Sequence, residues 1–251
     1  MLGSVFRTRP PQVPDGVSII AFGDVHGCLA KLEDLFERIE KRIDAHPQHR
    51  HVVISLGDLV DRGPDSAGVV ERLIEGIPGC ELVLIRGNHE QMMLDFVHDC
   101  GNPAQWPREG CFETMASYGL DGRRLLAEGR ALAEIRQGLP DLRQAFLKRA
   151  PRYHLEFLAR SSLYLTCGDY FFVHAGIRPS VALAQQREHD LLWIRGEFLH
   201  SNTQFEKIIV HGHTPTNAVE FHNNRINIDT GACLGGPLSA VLFEQDSVKV
   251  F

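Results

Sequence analysis

The fold is indicated first by the stretch VSIIAFGDVHG, residues 17–27. Its first half is apolar and rich in β-branched residues, which is typical of a buried strand. Its second half carries an aspartate and a histidine, Asp24 and His26, and a helical pattern begins shortly afterwards at Leu29. A strand that ends in metal-ligating residue types and leads into a helix predicts an α/β sheet with a site at its carboxyl edge.

The same arrangement occurs twice more along the chain. The apolar run VVISL (residues 52–56) precedes GDLVDRG (residues 57–63), and LVLI (residues 82–85) is followed by Arg86 and then GNHE (residues 87–90). Each block again leads into a stretch with helical spacing. Because such short βα units imply parallel strands, whose carboxyl ends share one edge of the sheet, we expect the three blocks to form one site.

Length and composition are ordinary for a globular protein, with 251 residues, of which 43% are hydrophobic and 23% charged. The net charge of −6 argues against general nucleic-acid binding, and the apolar runs are too short for a membrane span. Six cysteines without a Cys-x-x-Cys pair indicate reduced thiols in a cytoplasmic protein. Residues 1–16 contain three prolines and no apolar signal core. We therefore expect a flexible N-terminal tail there and a single domain over residues 17–251.

The pattern changes beyond the three blocks. Residues from about 100 to 160 read as helices interrupted by prolines, so we expect a helical insert; its stretch 121–160 carries nine Arg or Lys against five Asp or Glu. Such a basic stretch is ordinarily a solvated helical face, and the alternative is a cap that attracts anionic substrate. The last third reads as antiparallel hairpins, among them residues 219–222 and 225–229 around an Asn-Asn turn. Parallel units followed by hairpins predict two packed sheets with helices outside.

The three blocks match the pattern GDxHG, GDxVDRG and GNHE, and two later elements continue it, namely HAG at residues 174–176 and GHT at residues 212–214. With these motifs the chain resembles the phosphoprotein phosphatase family of the calcineurin-like metallophosphoesterase superfamily. It is most similar to the compact bacterial and phage-type serine/threonine protein phosphatases. The resemblance spans roughly residues 18–235. It implies an α/β fold, an αββα layered sandwich of two mixed β-sheets flanked by helices, with the helical insert.

The resemblance also implies a centre of two divalent metal ions, which can clamp a phosphoryl group and acidify a bound water. By motif match, the metal-ligating residues are Asp24, His26, Asp58, Asn88, His174 and His213, with Asp58 bridging the two ions. Mixed imidazole and carboxylate ligands suit Mn, Fe or Zn better than Ca, and Mn is the first choice. His211 is an alternative ligand because it lies two residues from His213, but the Gly-His-Thr frame favours His213.

The remaining motif residues have catalytic roles by the same resemblance. Arg62 and Arg86 bind phosphate oxygens, because a guanidinium matches phosphate in bidentate geometry. Arg195, in the weaker Trp-x-Arg-Gly frame, is a third candidate, with an ordinary surface arginine as the alternative. His89 protonates the leaving group as general acid, and Asp61 orients His89.

These motifs predict a two-metal-dependent phosphomonoesterase, and most simply a serine/threonine protein phosphatase. Its substrates would be phosphorylated proteins or peptides, hydrolysed by in-line attack of a metal-bound hydroxide; neither nucleic acid nor a membrane is an expected partner. A symmetrical dinucleoside tetraphosphatase is the alternative hydrolase. Those relatives typically replace the Asp of Val-Asp-Arg-Gly with Ala and often carry Gly-Asn-His-Asp, whereas this chain keeps Asp61 and Glu90. A non-catalytic metal-binding scaffold would lack a ligand or the acid, and neither is missing.

Overall fold

A computed structural model describes residues 9–125 and 132–251 of the chain. Its first sheet consists of β1 (Val17–Phe22), β2 (Arg50–Ser55), β3 (Cys80–Leu84), β9 (Ala240–Glu244) and β10 (Ser247–Val250). The spatial order is β10-β9-β1-β2-β3. β1, β2 and β3 are parallel to one another, whereas β9 is antiparallel to both of its neighbours, β1 and β10. The three parallel strands are the three that precede the sequence blocks.

Each of the three parallel strands is followed by a helix. These are α1 (Leu29–Ala45), α2 (Ser66–Glu75) and α3 (Asn88–His98). α1 shows why the sequence forms them, because its apolar side chains, such as Leu32 and Phe36, recur at helical spacing and are buried. The helical face that the sequence predicts is therefore the face that packs on the sheet.

The second sheet contains β4 (Tyr164–Cys167), β5 (Tyr170–Val173), β6 (Ile208–His211), β7 (Glu220–Phe221) and β8 (Arg225–Asn227), in the order β4-β5-β6-β8-β7. β4–β5 and β7–β8 are the expected hairpins. The centre of the sheet is parallel, at β5–β6 and β6–β8, so the sheet is mixed, as the resemblance implies. Parallel neighbours need a crossover connection, and between β5 and β6 it contains α8 (Glu188–Trp193) and α9 (Gly196–Leu199).

The two sheets pack face to face with helices outside. Along β1, Ile19 belongs to a buried cluster shared with Phe172 and Val210 of the second sheet, whereas its neighbour Ile20 packs with Phe36 of α1. This alternation follows from the two-residue period of a strand. The outer face of the second sheet packs against α8 and α9. The predicted αββα layered sandwich is therefore confirmed.

The described part of the predicted insert is mainly helical. It contains a 3₁₀ turn (Trp106–Arg108), α4 (Cys111–Ser117), α5 (Gly122–Leu125), α6 (Leu132–Leu147) and α7 (Arg152–Ala159). Pro140 lies inside α6 instead of interrupting the helix, which corrects one expectation. The aromatic rings of Trp106 and Phe146 pack on each other and on Phe96 of α3, so the insert shares a core with the first sheet's helices.

The segment just before β1 is attached to the domain. Val13 is buried and its N–H donates to the carbonyl of Gln245 at 2.9 Å, and Asp169 binds both Arg9 (2.8 Å) and the N–H of Gln12 (2.9 Å). These contacts fix residues 9–16, whereas the sequence suggested a loose tail up to Gly16; residues 1–8 of that tail lie outside the described residues. Within the described ranges, no helix has the length and apolarity that crossing a membrane requires.

Candidate metal centre

The loops that follow the three parallel strands meet at one edge of the first sheet. Asp24 and His26 come after β1, Asp58 comes after β2, and Asn88 is the first residue of α3. The N–H groups of Val25 and His26 donate to the carbonyl of Asp58 at 3.0 and 2.8 Å, so the first loop is bonded directly to the second. The topology thus brings together candidate ligands that are far apart in the sequence.

The backbone of this edge is strained. Among the described non-glycine residues with positive φ, five belong to the site: His26 (45°), Asp58 (51°), Asp61 (73°), Arg62 (66°) and His213 (65°). Each such conformation costs ~1–3 kcal/mol and persists only where the surroundings hold it. Strain concentrated in the motif loops is what a preorganised site requires.

Asp58 lies between two groups of possible ligands. Its Oδ2 is 3.5 Å from Nε2 of His26, and its Oδ1 is 3.4 Å from Nε2 of His174. The ligand atoms of His26, Asp58 and His89 lie within 4.8 Å of one another, and so do those of Asp58, His174 and His213. Burial alone would raise the pKa of Asp58, but the surrounding histidines outweigh it and lower the pKa. Asp58 thus lies where one carboxylate oxygen faces each group.

The histidines present lone pairs to this space. His174 directs Nδ1 to the carbonyl of Leu56 (2.8 Å), while its Nε2 faces Oδ1 of Asn88 (2.9 Å) and Nδ1 of His213 (3.1 Å). Burial lowers the pKa of His174, which keeps the ring neutral and leaves Nε2 as an acceptor. Acceptor atoms that converge in a buried space fit a cation. His26 follows the same logic, because its Nδ1 donates to a carbonyl at 2.7 Å and burial lowers its pKa to about 3.

Asp24 and Asp229 add negative charge to the same space. Burial, followed by repulsion from Asp229 and Asp58, raises the pKa of Asp24 well above its usual range. Both carboxylate oxygens of Asp24 accept from the N–H of His213 at 3.2 Å, which ties the loop after β1 to the loop after β6. Burial also raises the pKa of Asp229 to about 6. The position of Asp229 among these carboxylates is visible only in the fold.

Glu90 holds the loop that carries Asp58. Its carboxylate accepts from the N–H groups of Asp58 (2.8 Å), Leu59 (2.8 Å), Val60 (3.2 Å) and Gly87 (2.9 Å). Burial and then repulsion from Asp58 raise its pKa to about 7, although these backbone donors oppose the shift. Gly87 has no room for a side chain, because a Cβ there would overlap Asp58. Glu90 is thus a scaffold residue that the sequence marked only through its motif.

His89 and Asp61 form a buried pair. Nδ1 of His89 lies 2.7 Å from Oδ2 of Asp61, and both side chains are almost fully buried. Burial lowers the pKa of His89, but the carboxylates of Asp58 and Asp61 outweigh it and raise the pKa overall. A contact of this kind restricts the orientation of the His89 ring.

Arg62 lies between two histidines of the centre. Its guanidinium donates to Nε2 of His26 at 2.7 Å and to Nε2 of His89 at 2.9 Å. Because a guanidinium has no acceptor, both nitrogens must carry lone pairs in this arrangement. In this position Arg62 disfavours the protonated form of His89, whereas the carboxylates of Asp58 and Asp61 raise the pKa of His89. A proton on Nε2 of His89 therefore requires Arg62 to turn away from it.

The other two predicted phosphate ligands differ in their surroundings. Arg86 donates to the side chain of Gln91 in α3 at 2.9 Å. At the end of α7 it donates to the Ser161 hydroxyl (3.1 Å) and to the carbonyls of Ala159 and Ser161 (2.9 and 3.2 Å). Arg195 is exposed and donates to the hydroxyl of Thr214 at 3.0 Å, next to His213. The structure therefore brings Arg195 to the centre and ties Arg86 to the insert.

His211 and His213 occupy different environments although they are two residues apart. His213 belongs to the group with Asp58 and His174. His211 lies on β6 with its ring against Phe198 (5.0 Å between centroids), and burial lowers its pKa to about 3. β6 ends at His211, whereas His213 lies in the following turn with a φ of 65°, so the two rings have different surroundings.

Two sheets packed as an αββα sandwich, with paired His/Asp groups where their strands end, define a metallophosphoesterase fold. The chain belongs to the calcineurin-like phosphoesterase family, whose sequence model matches residues 17–234. This confirms the predicted superfamily. One relative is a protein from Oceanobacillus iheyensis named bis(5'-nucleosyl)-tetraphosphatase PrpE [asymmetrical]; it is 29% identical over 93% of this chain and 92% of its own length. Its name does not support the narrower prediction of serine/threonine specificity.

Solved structures with the same fold carry other activities in their names. A cold-active protein tyrosine phosphatase matches with a TM-score of 0.58 at 18% identity, covering 95% of this chain and 81% of that one. A protein serine/threonine phosphatase from Saccharomyces cerevisiae matches with a TM-score of 0.54 at 16% identity, covering 97% and 84%. At such identities the likeness extends to the fold alone.

Proposed function

We propose that this metal-dependent phosphoesterase hydrolyses dinucleoside tetraphosphates asymmetrically, into a nucleoside triphosphate and a nucleoside monophosphate. The observation that carries the hydrolytic part is the position of Asp58 between two histidine-containing groups. The substrate class is supported by the relative from Oceanobacillus iheyensis, which aligns over nearly the full length of both chains and bears this activity in its name. The sequence motifs favour phosphoprotein substrates, with symmetrical cleavage of dinucleoside tetraphosphates as the alternative. This proposal replaces both with asymmetrical cleavage.

The side chains at the centre divide the work. We propose that Asp24, His26, Asp58, Asn88, His174 and His213 hold two divalent ions, with Mn as the first choice. When bound, such ions supply Lewis acidity and a nucleophile from water at neutral pH. Arg62 and Arg195 would neutralise charge on the phosphoryl oxygens. His89, oriented by Asp61, would give a proton to the leaving oxygen once Arg62 has moved to the phosphate.

A specific observation favours a second candidate, the hydrolysis of phosphoserine or phosphothreonine in proteins or peptides. The buried Asp61–His89 contact of 2.7 Å is suited to protonating a leaving group. A serine or threonine alkoxide is strongly basic and gains much from a general acid, whereas a nucleotide leaving group is weakly basic and gains little. Asp61 therefore favours the ester substrate, while the full-length relative favours the dinucleotide.

The deciding experiment compares kcat/KM for diadenosine tetraphosphate with kcat/KM for a phosphothreonine peptide, using one metal-loaded preparation whose metal content is measured. Chromatography of the nucleotide products shows the mode of cleavage: equal amounts of ATP and AMP support the proposal, and ADP alone indicates symmetrical cleavage. A clear preference for the peptide would overturn the dinucleotide proposal in favour of the second candidate. If neither substrate is turned over, both are rejected.

A further inference from the structure

The carboxylate that orients His89 is itself held by two residues of the helical insert. The indole Nε1–H of Trp106 lies 3.0 Å from Oδ1 and 2.8 Å from Oδ2 of Asp61, and the hydroxyl of Thr114 donates to Oδ1 at 2.7 Å. All three side chains are buried; Asp61, Trp106 and Thr114 each have 0% exposure. These donors come from positions 45 and 53 residues beyond Asp61 in the sequence.

The same hydroxyl also holds the backbone of Asp61. The N–H of Asp61 donates to Oγ1 of Thr114 at 2.8 Å and to Oγ of Ser66 at 3.1 Å, and the two hydroxyls are 3.0 Å apart. Asp61 has a φ of 73°, a strained value for a residue with a side chain. Thr114 thus fixes both the strained backbone of Asp61 and the direction of its carboxylate.

The hydrogen bonds from Trp106 and Thr114 leave one side of the Asp61 carboxylate for contact with His89. Trp106 and Thr114 occupy Oδ1, and Trp106 also shares Oδ2, on which Nδ1 of His89 is 2.7 Å away. Hydrogen bonds to a carboxylate are charge-assisted, so together they also compensate for burying its charge. The indole is in turn packed between Phe96 and Phe146, with centroids at 5.1 and 5.3 Å, which prevents it from turning away.

We propose that Trp106 and Thr114 are positioning residues, through which the helical insert sets the orientation of the Asp61–His89 pair for proton transfer to the leaving oxygen. The inference rests on the proposed function, because it assumes that His89 acts as general acid. It assigns the insert a role in the chemistry beyond covering the sheet, and the role depends on two donors and not on the insert's charge.

The first test uses leaving groups of different basicity. Trp106→Phe and Thr114→Val remove one donor each and keep most of the packing, and we expect kcat to fall by ~10–100-fold with an alkyl phosphate and clearly less with an aryl phosphate. Thr114→Ser restores the hydroxyl and should restore the wild-type ratio of the two rates. Leu142→Val is the matched control, because Leu142 is buried in the same core and its aliphatic side chain takes no part in the hydrogen bonds to Asp61; it should lower the melting temperature without changing the ratio.

The second test needs no turnover. The chain has two tryptophans, so ¹H–¹⁵N spectra of metal-free protein contain two indole signals, which Trp106→Phe assigns. In Asp61→Ala the Trp106 signal should shift and exchange faster with solvent, while the Trp193 signal stays unchanged. An unchanged Trp106 signal would refute the contact itself. Equal losses for both leaving groups in Trp106→Phe and Thr114→Val would refute the positioning role and leave the proposed function standing, whereas a wild-type protein without turnover would refute the proposed function while the spectra still report on the contact.

Discussion

The two sheets contribute to the centre in different ways. The first sheet presents its groups in three consecutive βα loops, and each loop carries several of them within one short motif, as Asp24 and His26 do. The second sheet contributes single histidines, His174 just after β5 and His213 just after β6, on parallel neighbouring strands. The first half of the site is therefore encoded locally, while the second half depends on how two strands pair across a long connection.

The two halves are also held differently. The loop of Asp58 is fixed by Glu90, whose carboxylate accepts four backbone N–H groups. The N–H of His213 donates instead to the carboxylate of Asp24, in the loop after β1 of the first sheet. The second half is thus positioned by contact with the first, so that disturbing the first sheet's loops should affect both groups and disturbing the second should affect one.

The largest effect should come from removing metal, which both halves need. The carboxylates of Asp24, Asp58 and Asp229 are buried close together and raise one another's energy unless cations lie between them. Exhaustive chelation should abolish turnover, and added Mn²⁺ should restore turnover. Chelation should also lower the melting temperature, because ions that bind only the folded state stabilise that state. Full turnover by a sample shown to be metal-free would contradict the whole assignment.

Replacing His213 should affect one half of the centre and leave the other half able to bind metal. His213→Ala should reduce bound metal from about two ions per chain to about one and remove most of the activity, because His213 belongs to one group only. His211→Ala is the matched control on the same segment and should keep both ions, since His211 packs against Phe198. Metal stoichiometry by elemental analysis measures the difference; the reverse result would assign the ligand to His211.

Much of this architecture could be predicted from the sequence because the signals are local. β1 (Val17–Phe22) coincides with the apolar first half of the opening stretch, and the three motif loops meet as the strand–helix alternation implies. The parallel pairing of β5 with β6 could not be predicted, because short apolar runs near turns read as hairpins whether or not a crossover intervenes. Strand order is set by tertiary packing, and the residues of a single strand do not show which strand it will pair with.

The site divides along the same line. Ligand types in motifs could be predicted, but the contacts of Arg86 with Ser161 and of Asp61 with Trp106 join residues 75 and 45 positions apart. Neither spacing has a local period that would reveal it. Substrate preference is the weakest prediction. Asp61 and Glu90 distinguish the protein phosphatases from symmetrical tetraphosphatases only, whereas the full-length relative is named as asymmetrical.

A smaller effect should follow from removing the acid, which lies in the first half. His89→Asn should keep both metal ions and lower kcat by ~10²–10⁴-fold for substrates with basic leaving groups. The loss should shrink for an aryl phosphate, which departs without a proton. Comparing an alkyl with an aryl phosphate measures this directly, with metal content as the control. Equal losses for the two substrates would show that His89 supports the site in another way.

The smallest effects on turnover should distinguish the two arginines. Arg86 donates four hydrogen bonds that join the end of β3 to the end of α7 and to α3, and removing hydrogen bonds to a charged group costs ~1.5–3 kcal/mol. Arg86→Ala should therefore lower the free energy of unfolding, measured by urea titration, with only a modest change in KM. Arg195 is exposed, and its guanidinium donates a hydrogen bond to the hydroxyl of Thr214, beside His213. Arg195→Ala should leave the unfolding free energy nearly unchanged and raise KM, because it removes a cation at the mouth of the site. If instead Arg86→Ala raised KM without loss of stability, Arg86 would have to leave α7 and bind the substrate phosphate, and the division between an arginine of the scaffold and an arginine of the site would be wrong.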